Sequence, residues 1–157
     1  MSFPELVAEL TRDAVDEIMR YARAVPPDKL HWRPAEHARS VIEILQECAS
    51  TPLTLELLLR TRPQGEIRDM QPFNAIQAQA AQLTTLDALE HALRTNTEQF
   101  LKAVQELPAE LLEQTVATPW GEPYSLKELA LGHFWNLTYH LGQIAYIQLL
   151  YGDTNYY

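Results

Sequence analysis

The sequence predicts an all-α fold, and three observations carry that reading. Apolar residues recur at steps of three and four through four long stretches, the period of a helix with one buried side. Three of those stretches open on a serine followed three positions later by a glutamate, the spacing at which each side chain caps the other's backbone amide. Only five glycines occur in 157 residues, and no segment alternates apolar and polar residues for long enough to make a sheet.

Ser2 and Glu5 form the first such pair, with Pro4 in the first turn, where a missing amide hydrogen costs nothing. Leu6, Leu10, Ala14, Ile18 and Tyr21 supply an apolar stripe, and the first helix, residues 3–24, must stop before Pro26 and Pro27. Residues 26–39, PPDKLHWRPAEHAR, read as a loop in which Trp32 is a packing anchor and His31 and His37 face solvent. Ser40 and Glu43 open the second helix, 40–60, with Val41, Ile44, Leu45, Cys48, Leu55 and Leu58 inward and a kink at Pro52.

Residues 61–83 begin as loop around Pro63, Gly65 and Pro72, with a short helix from Phe73 to Gln82. The third long helix spans 84–107, with Leu86, Leu89, Leu93, Phe100, Leu101 and Val104 on its apolar side and His91 at the surface. One helical turn within Pro108–Thr115 and a small hairpin about Gly121, carrying Trp120 as a lid or packing residue, lead to the last helix, 125–151. That helix opens on Ser125 and Glu128 and stops at Gly152, and Leu126, Ala130, His133, Leu137, His140, Ile144, Ile147 and Tyr151 share one face. Length, composition and the lack of a flexible linker predict one domain over residues 1–157.

The formal charge of −9 and the pI near 4.9 exclude a phosphate-backbone partner, because no basic patch offsets them. No apolar run approaches the roughly 18 residues that cross a bilayer, and MSFPELVAEL has no basic region ahead of a hydrophobic one. The expectation is a soluble, cytoplasmic protein. Cys48 stands alone, without a partner for a disulfide or the spacing of a zinc or iron–sulfur cluster, and reads as core packing.

Asn136 and His140 sit four apart, about 6 Å along the helix axis, and can converge on one atom; His133 is on nearly the same face but about 10 Å of helix rise from His140, too far to share one ion with it. Glu43 is used by its cap, whereas Glu47, beside Ile44 and Cys48, has no such role, and a carboxylate facing a core needs a partner or a cation. In a bundle, Glu47, Asn136 and His140 could hold a divalent ion through two oxygens and one nitrogen. The same three could equally form a hydrogen-bonded polar cluster, His140 paired with Glu47 and Asn136 satisfying the rest.

Two segments, LHWRPAEHARSVIEIL at 30–45 and YHLGQIAYIQLLYG at 139–152, resemble the DinB/YfiT-like superfamily of small bacterial four-helix bundles. The resemblance implies an up-down-down-up connection. It also implies a divalent metal such as zinc, nickel, iron or manganese, held by three histidines whose positions here are Glu47, Asn136 and His140, only the last being histidine. Gly142 and Gln143 match the family motif, the glycine read as allowing close helix packing and the glutamine as orienting a neighbour. Characterised members are metal-dependent transferases and isomerases that act with low-molecular-weight thiols.

Three functions remain open on the sequence: a small-molecule protein with a degenerate site at the trio, a metal-dependent transferase or hydrolase, and a structural or partner-binding bundle. Surplus aromatic residues at Phe134, Tyr146, Tyr156 and Tyr157 predict a homodimer.

Overall fold

The computed structural model describes residues 1–157. Four long helices and one short one carry the chain: α1 Phe3–Ala24, α2 Val41–Thr61, α3 Gln71–Ala80, α4 Leu86–Gln105 and α5 Leu126–Leu150. Two-residue strands β1, Thr115–Val116, and β2, Tyr124–Ser125, pair antiparallel with Thr115 opposite Ser125 ahead of α5, around a turn in which Gly121 takes φ +94°. Each predicted capping pair is formed: Ser2 with Glu5, Ser40 with Glu43, and Ser125 with Glu128. The expected turn before β1 is a 3-10 helix at Ala109–Leu111.

The side-chain pairings fix how the helices run. Arg12 meets Glu98 while Arg23 meets Asp87 and Glu90, so α1 and α4 are antiparallel. Asn96 bonds the Ala49 carbonyl and Arg60 reaches Glu106, so α2 and α4 are parallel. Glu47 meets His140 while Leu55 lies against Gly132, so α5 returns antiparallel to α2. The long helices therefore run up, down, down, up, and α1 and α2, consecutive in the chain, face each other across a diagonal with α4 and α5 between them. The segment 62–85, including α3 laid on α2, provides the crossover that two parallel helices in sequence require.

The core has two halves. One joins Ile18, Ile44, Leu45, Leu89, Leu93, Leu137 and Ile144; the other joins Val7, Leu58, Phe100, Leu101, Leu126 and Leu129. His133 is wholly buried, with Nε2 2.9 Å from Thr97 Oγ1 and its ring edge-on to Phe100, and burial lowers its pKa from 6.5 to about 3.

Several expectations need correction. In α1 the buried face centres on Val7, Thr11, Ala14, Val15 and Ile18, and Leu6 is exposed, because a helix wedged between two neighbours buries a broader arc shifted from the predicted stripe. Gly142 packs against nothing in its own chain, while Gly132 performs the close approach, its absent Cβ position lying 3.2 Å from Leu55 Cδ1. Phe134 and Tyr157 are not surplus: Phe134 packs on the core and Tyr157 lies edge-on to Tyr21. The helix α2 persists on both sides of Pro52, as the reading of one helix over 40–60 has it, and the hydroxyls of Ser50 and Thr51 turn back to the Glu47 carbonyl one turn earlier. Trp32 is an anchor as expected, against Tyr151 with Lys29 over its ring.

Candidate functional site

A polar network joins α2 to α5 at the level of Glu47. The 3.6-residue period places Glu47 beside the buried positions Ile44 and Cys48, and it places Asn136 and His140 one turn apart on the facing helix. His140 Nε2 lies 2.9 Å from Glu47 Oε1, and Asn136 Nδ2 donates to the same oxygen at 3.2 Å. The three residues singled out by spacing therefore do converge.

The network contains two further members. The guanidinium of Arg39, the residue before the Ser40 cap, donates to Glu47 Oε2 and reaches Gln143 Oε1 at 3.4 Å. Gln143 Oε1 also lies 2.7 Å from His140 Nδ1, which fixes the ring from its other side as the motif reading anticipated. The imidazole is thus held at both nitrogens, by the glutamine side chain at Nδ1 and by the carboxylate at Nε2.

The hydrogen bond from His140, aided by Arg39, holds the Glu47 carboxyl at about 2, although its partial burial acts the other way. A carboxylate that weakly basic is an anchor for cations and N–H groups, not a general base poised near neutrality. Cys48 is fully buried and burial raises its pKa, so it offers no thiolate.

As bonded here, Glu47, Asn136 and His140 do not fit zinc, nickel, iron or manganese. The carboxylate already has a cation in Arg39, the amide presents its NH2 side, and the ring nitrogen nearest the carboxylate is hydrogen-bonded to it. Nowhere in the chain do three His, Cys, Asp or Glu side chains come together. The departure from three histidines leaves one imidazole and one charged oxygen donor, a set of low affinity for these ions.

A cavity of about 870 Å³ opens beside the network, within the range that takes drug-sized ligands. Its walls come from α2, α3, the β1–β2 turn and α5, with Arg39, Glu47 and Asn136 at one end and Trp120, Tyr124 and Trp135 among the aromatic surfaces. Asn136 Oδ1 is buried and has no hydrogen-bond partner, whereas its Nδ2 is used by Glu47. The carboxylate fixes which way the amide points, because a flipped amide would set oxygen against oxygen.

Sequence reasoning missed Arg39 and the assembly of the cavity. Arg39 lies in the motif segment but outside any helix, so no period flagged it. Trp120 was identified as a lid or packing residue; it stands half-exposed against Tyr124 at the cavity wall.

A helical bundle with a polar network between its second and last long helices defines the class. The chain belongs to the DinB superfamily, whose family model matches residues 7–144. Among solved structures it is similar to YfiT from Bacillus subtilis, described as a probable metal-dependent hydrolase with an unusual four-helix bundle topology, at TM-score 0.74 and 10% identity over 95% of this chain and 87% of that one. A DinB-like protein from the same organism matches at TM-score 0.65 and 15% identity, covering 95% and 94%. A mycothiol-dependent maleylpyruvate isomerase matches at TM-score 0.67 and 15% identity over 92% of this chain, which spans 63% of the isomerase. At these identities the likeness is one of fold. No functionally curated protein matches the sequence.

Proposed function

We propose that this DinB-superfamily chain binds a small organic molecule in the cavity between α2, α3 and α5, with Arg39, Glu47 and Asn136 as its polar end and His140 and Gln143 bracing that end from behind. The carrying observation is the make-up of the cavity, with the charged and polar side chains of Arg39, Glu47 and Asn136 at one end and the rings of Trp120, Tyr124 and Trp135 along its walls. A ligand polar group that bonds the exposed edge of the Arg39 and Glu47 pair is held by a charge-assisted hydrogen bond, worth on the order of 1.5–3 kcal/mol. The aromatic surfaces of Trp120, Tyr124 and Trp135 supply area for the apolar part of such a ligand.

The descriptions of the structural neighbours favour a second reading, a metal-dependent transferase or hydrolase acting with a thiol or water. It requires Arg39 to leave Glu47 and a His140 ring nitrogen to turn from its present hydrogen bond to the ion. One preparation separates the two readings. Elemental analysis of protein made without a histidine tag returns well under one metal per chain if Arg39 fills the cation's place, and a stoichiometric metal lost in His140→Ala overturns the first reading. In parallel, a fragment set screened by tryptophan fluorescence should give ligands whose affinity falls roughly 10-fold or more in Arg39→Ala. No ligand, or ligands indifferent to that change, would remove the cavity from consideration.

A further inference from the structure

Between Leu129 and Leu150, α5 carries no Asp, Glu, Lys or Arg, in a chain of which 21% is charged. Its inner face is accounted for by the core; its outer face is not. Trp135 is 65% exposed, Tyr139 53%, Tyr146 62%, Leu149 54% and Leu150 49%. Trp135 and Tyr139 stack on each other, ring centroids 5.5 Å apart, and nothing else in the chain covers them from outside.

The spacing of this surface is specific. Trp135, Tyr139, Gly142, Tyr146 and Leu149 follow steps of four, three, four and three, the repeat by which one helix meets another along its length. The seam is about 21 Å long. At its midpoint is Gly142, exposed, with no atom within 4 Å of where a Cβ would stand. A glycine inside a helix forgoes about 1 kcal/mol of helix propensity, and nothing in its own chain compensates for that.

We propose that a second copy of this chain covers the seam, the two α5 helices crossing antiparallel about a two-fold axis near Gly142. In that arrangement Trp135 faces the partner's Leu149, and Tyr139 faces the partner's Tyr146. The glycine at the axis lets the two backbones approach. The large side chains of the seam expose roughly 500–600 Å² per protomer, at the upper end of the largest apolar patch a soluble monomer carries, where such patches are often functional. Adding the flanking Thr138 and Ala145 brings the area towards the ~800 Å² per partner of a stable interface.

Charge selects the same occupant. Two chains of net charge −9 repel each other over most orientations, and the uncharged face of α5 is where that repulsion is weakest. The same absence of Lys and Arg, with the negative net charge, disfavours an anionic bilayer as the covering surface. Because Trp135 also lines the cavity, the second copy lies beside the cavity wall, yet Tyr146 and Leu149 lie outside it and can be changed without touching the ligand site.

Sedimentation equilibrium of the full chain at micromolar concentration should give twice the chain mass of 18.0 kDa. The double variant Tyr146→Glu/Leu149→Glu should return the single-chain mass with an unchanged far-UV spectrum, a dissociation constant raised roughly 100-fold or more. For the register, a short bis-maleimide should join protomers of Gly142→Cys, where the added thiols lie about 10 Å apart, and fail with Leu149→Cys, where they lie about 20 Å apart. The native Cys48 is buried and does not compete. A single-chain mass up to 100 µM, a dimer that survives the double glutamate change, or the reverse cross-linking pattern overturns the proposal. So does a monomer that pellets with phosphatidylcholine vesicles, which would make the face a lipid contact.

Discussion

Acid should destabilise this protein first through His133, well before its carboxylates matter. The ring is fully buried against Thr97 and Phe100, and burial holds its pKa at about 3 against an ordinary value of 6.5. The folded state therefore keeps the ring neutral where the unfolded chain would protonate it. Stability is complete above about pH 6.5 and falls as pH drops from there towards about 3, at one proton per molecule, or about 1.4 kcal/mol per pH unit. Between pH 7.5 and 5.0 the loss from this residue comes to about 2 kcal/mol. Glu43 and Glu47, held near 2 against 4.5, contribute stability that is lost only as pH falls from about 4.5 towards 2, below that interval. Urea unfolding at the two pH values reads the loss directly, with the m-value as the check that the same transition is followed. His133→Leu should be less stable at pH 7.5, because Thr97 loses its partner, but its loss between the two pH values should shrink by about 2 kcal/mol. Equal losses in the two proteins would refute the reasoning, since every other histidine is common to both.

Other consequences follow from particular contacts. Glu47→Gln should lower stability near neutrality by about 1 kcal/mol, a figure kept small because the carboxylate is half-exposed, and its coupling to Arg39→Ala should appear as non-additive urea midpoints. The stability gap between wild type and Glu47→Gln should close as pH falls from about 4.5 towards 2, the window in which the native carboxylate takes up its proton. Gly132→Val should cost about 1–3 kcal/mol in thermal unfolding, because a Cβ at 3.2 Å from Leu55 Cδ1 brings further methyl groups into a closed contact between α2 and α5. Ser125→Ala should cost about 1 kcal/mol by removing the cap that accepts from the Glu128 amide, and helix content by circular dichroism should fall only at the start of α5.

How much of the site the sequence disclosed can be judged from Glu47 and Arg39. Glu47 was legible because a carboxylate beside Ile44 and Cys48 at helical period must find a partner, and Asn136 and His140 were legible because four residues make one turn. Arg39 was not. It acts from outside the helix, and only the packing of α2 against α5 brings its guanidinium between Glu47 and Gln143, where it supplies the positive charge that a metal reading would have assigned to an ion.

The sequence by itself determined what depends on neighbours along the chain. The serine and glutamate caps place three helix starts, prolines and glycines place the stops, and the 3.6-residue period names most of the buried positions of α2, α4 and α5. Tertiary structure alone decided which helix meets which, and that choice governs everything long-range. It shifted the buried face of α1 away from Leu6, gave the close-packing role to Gly132 and left Gly142 bare, and enclosed a cavity between α2, α3 and α5. The physical reason is that a period fixes the direction in which a side chain points relative to its own helix axis, whereas what it touches depends on the approach of a second axis that no local pattern encodes.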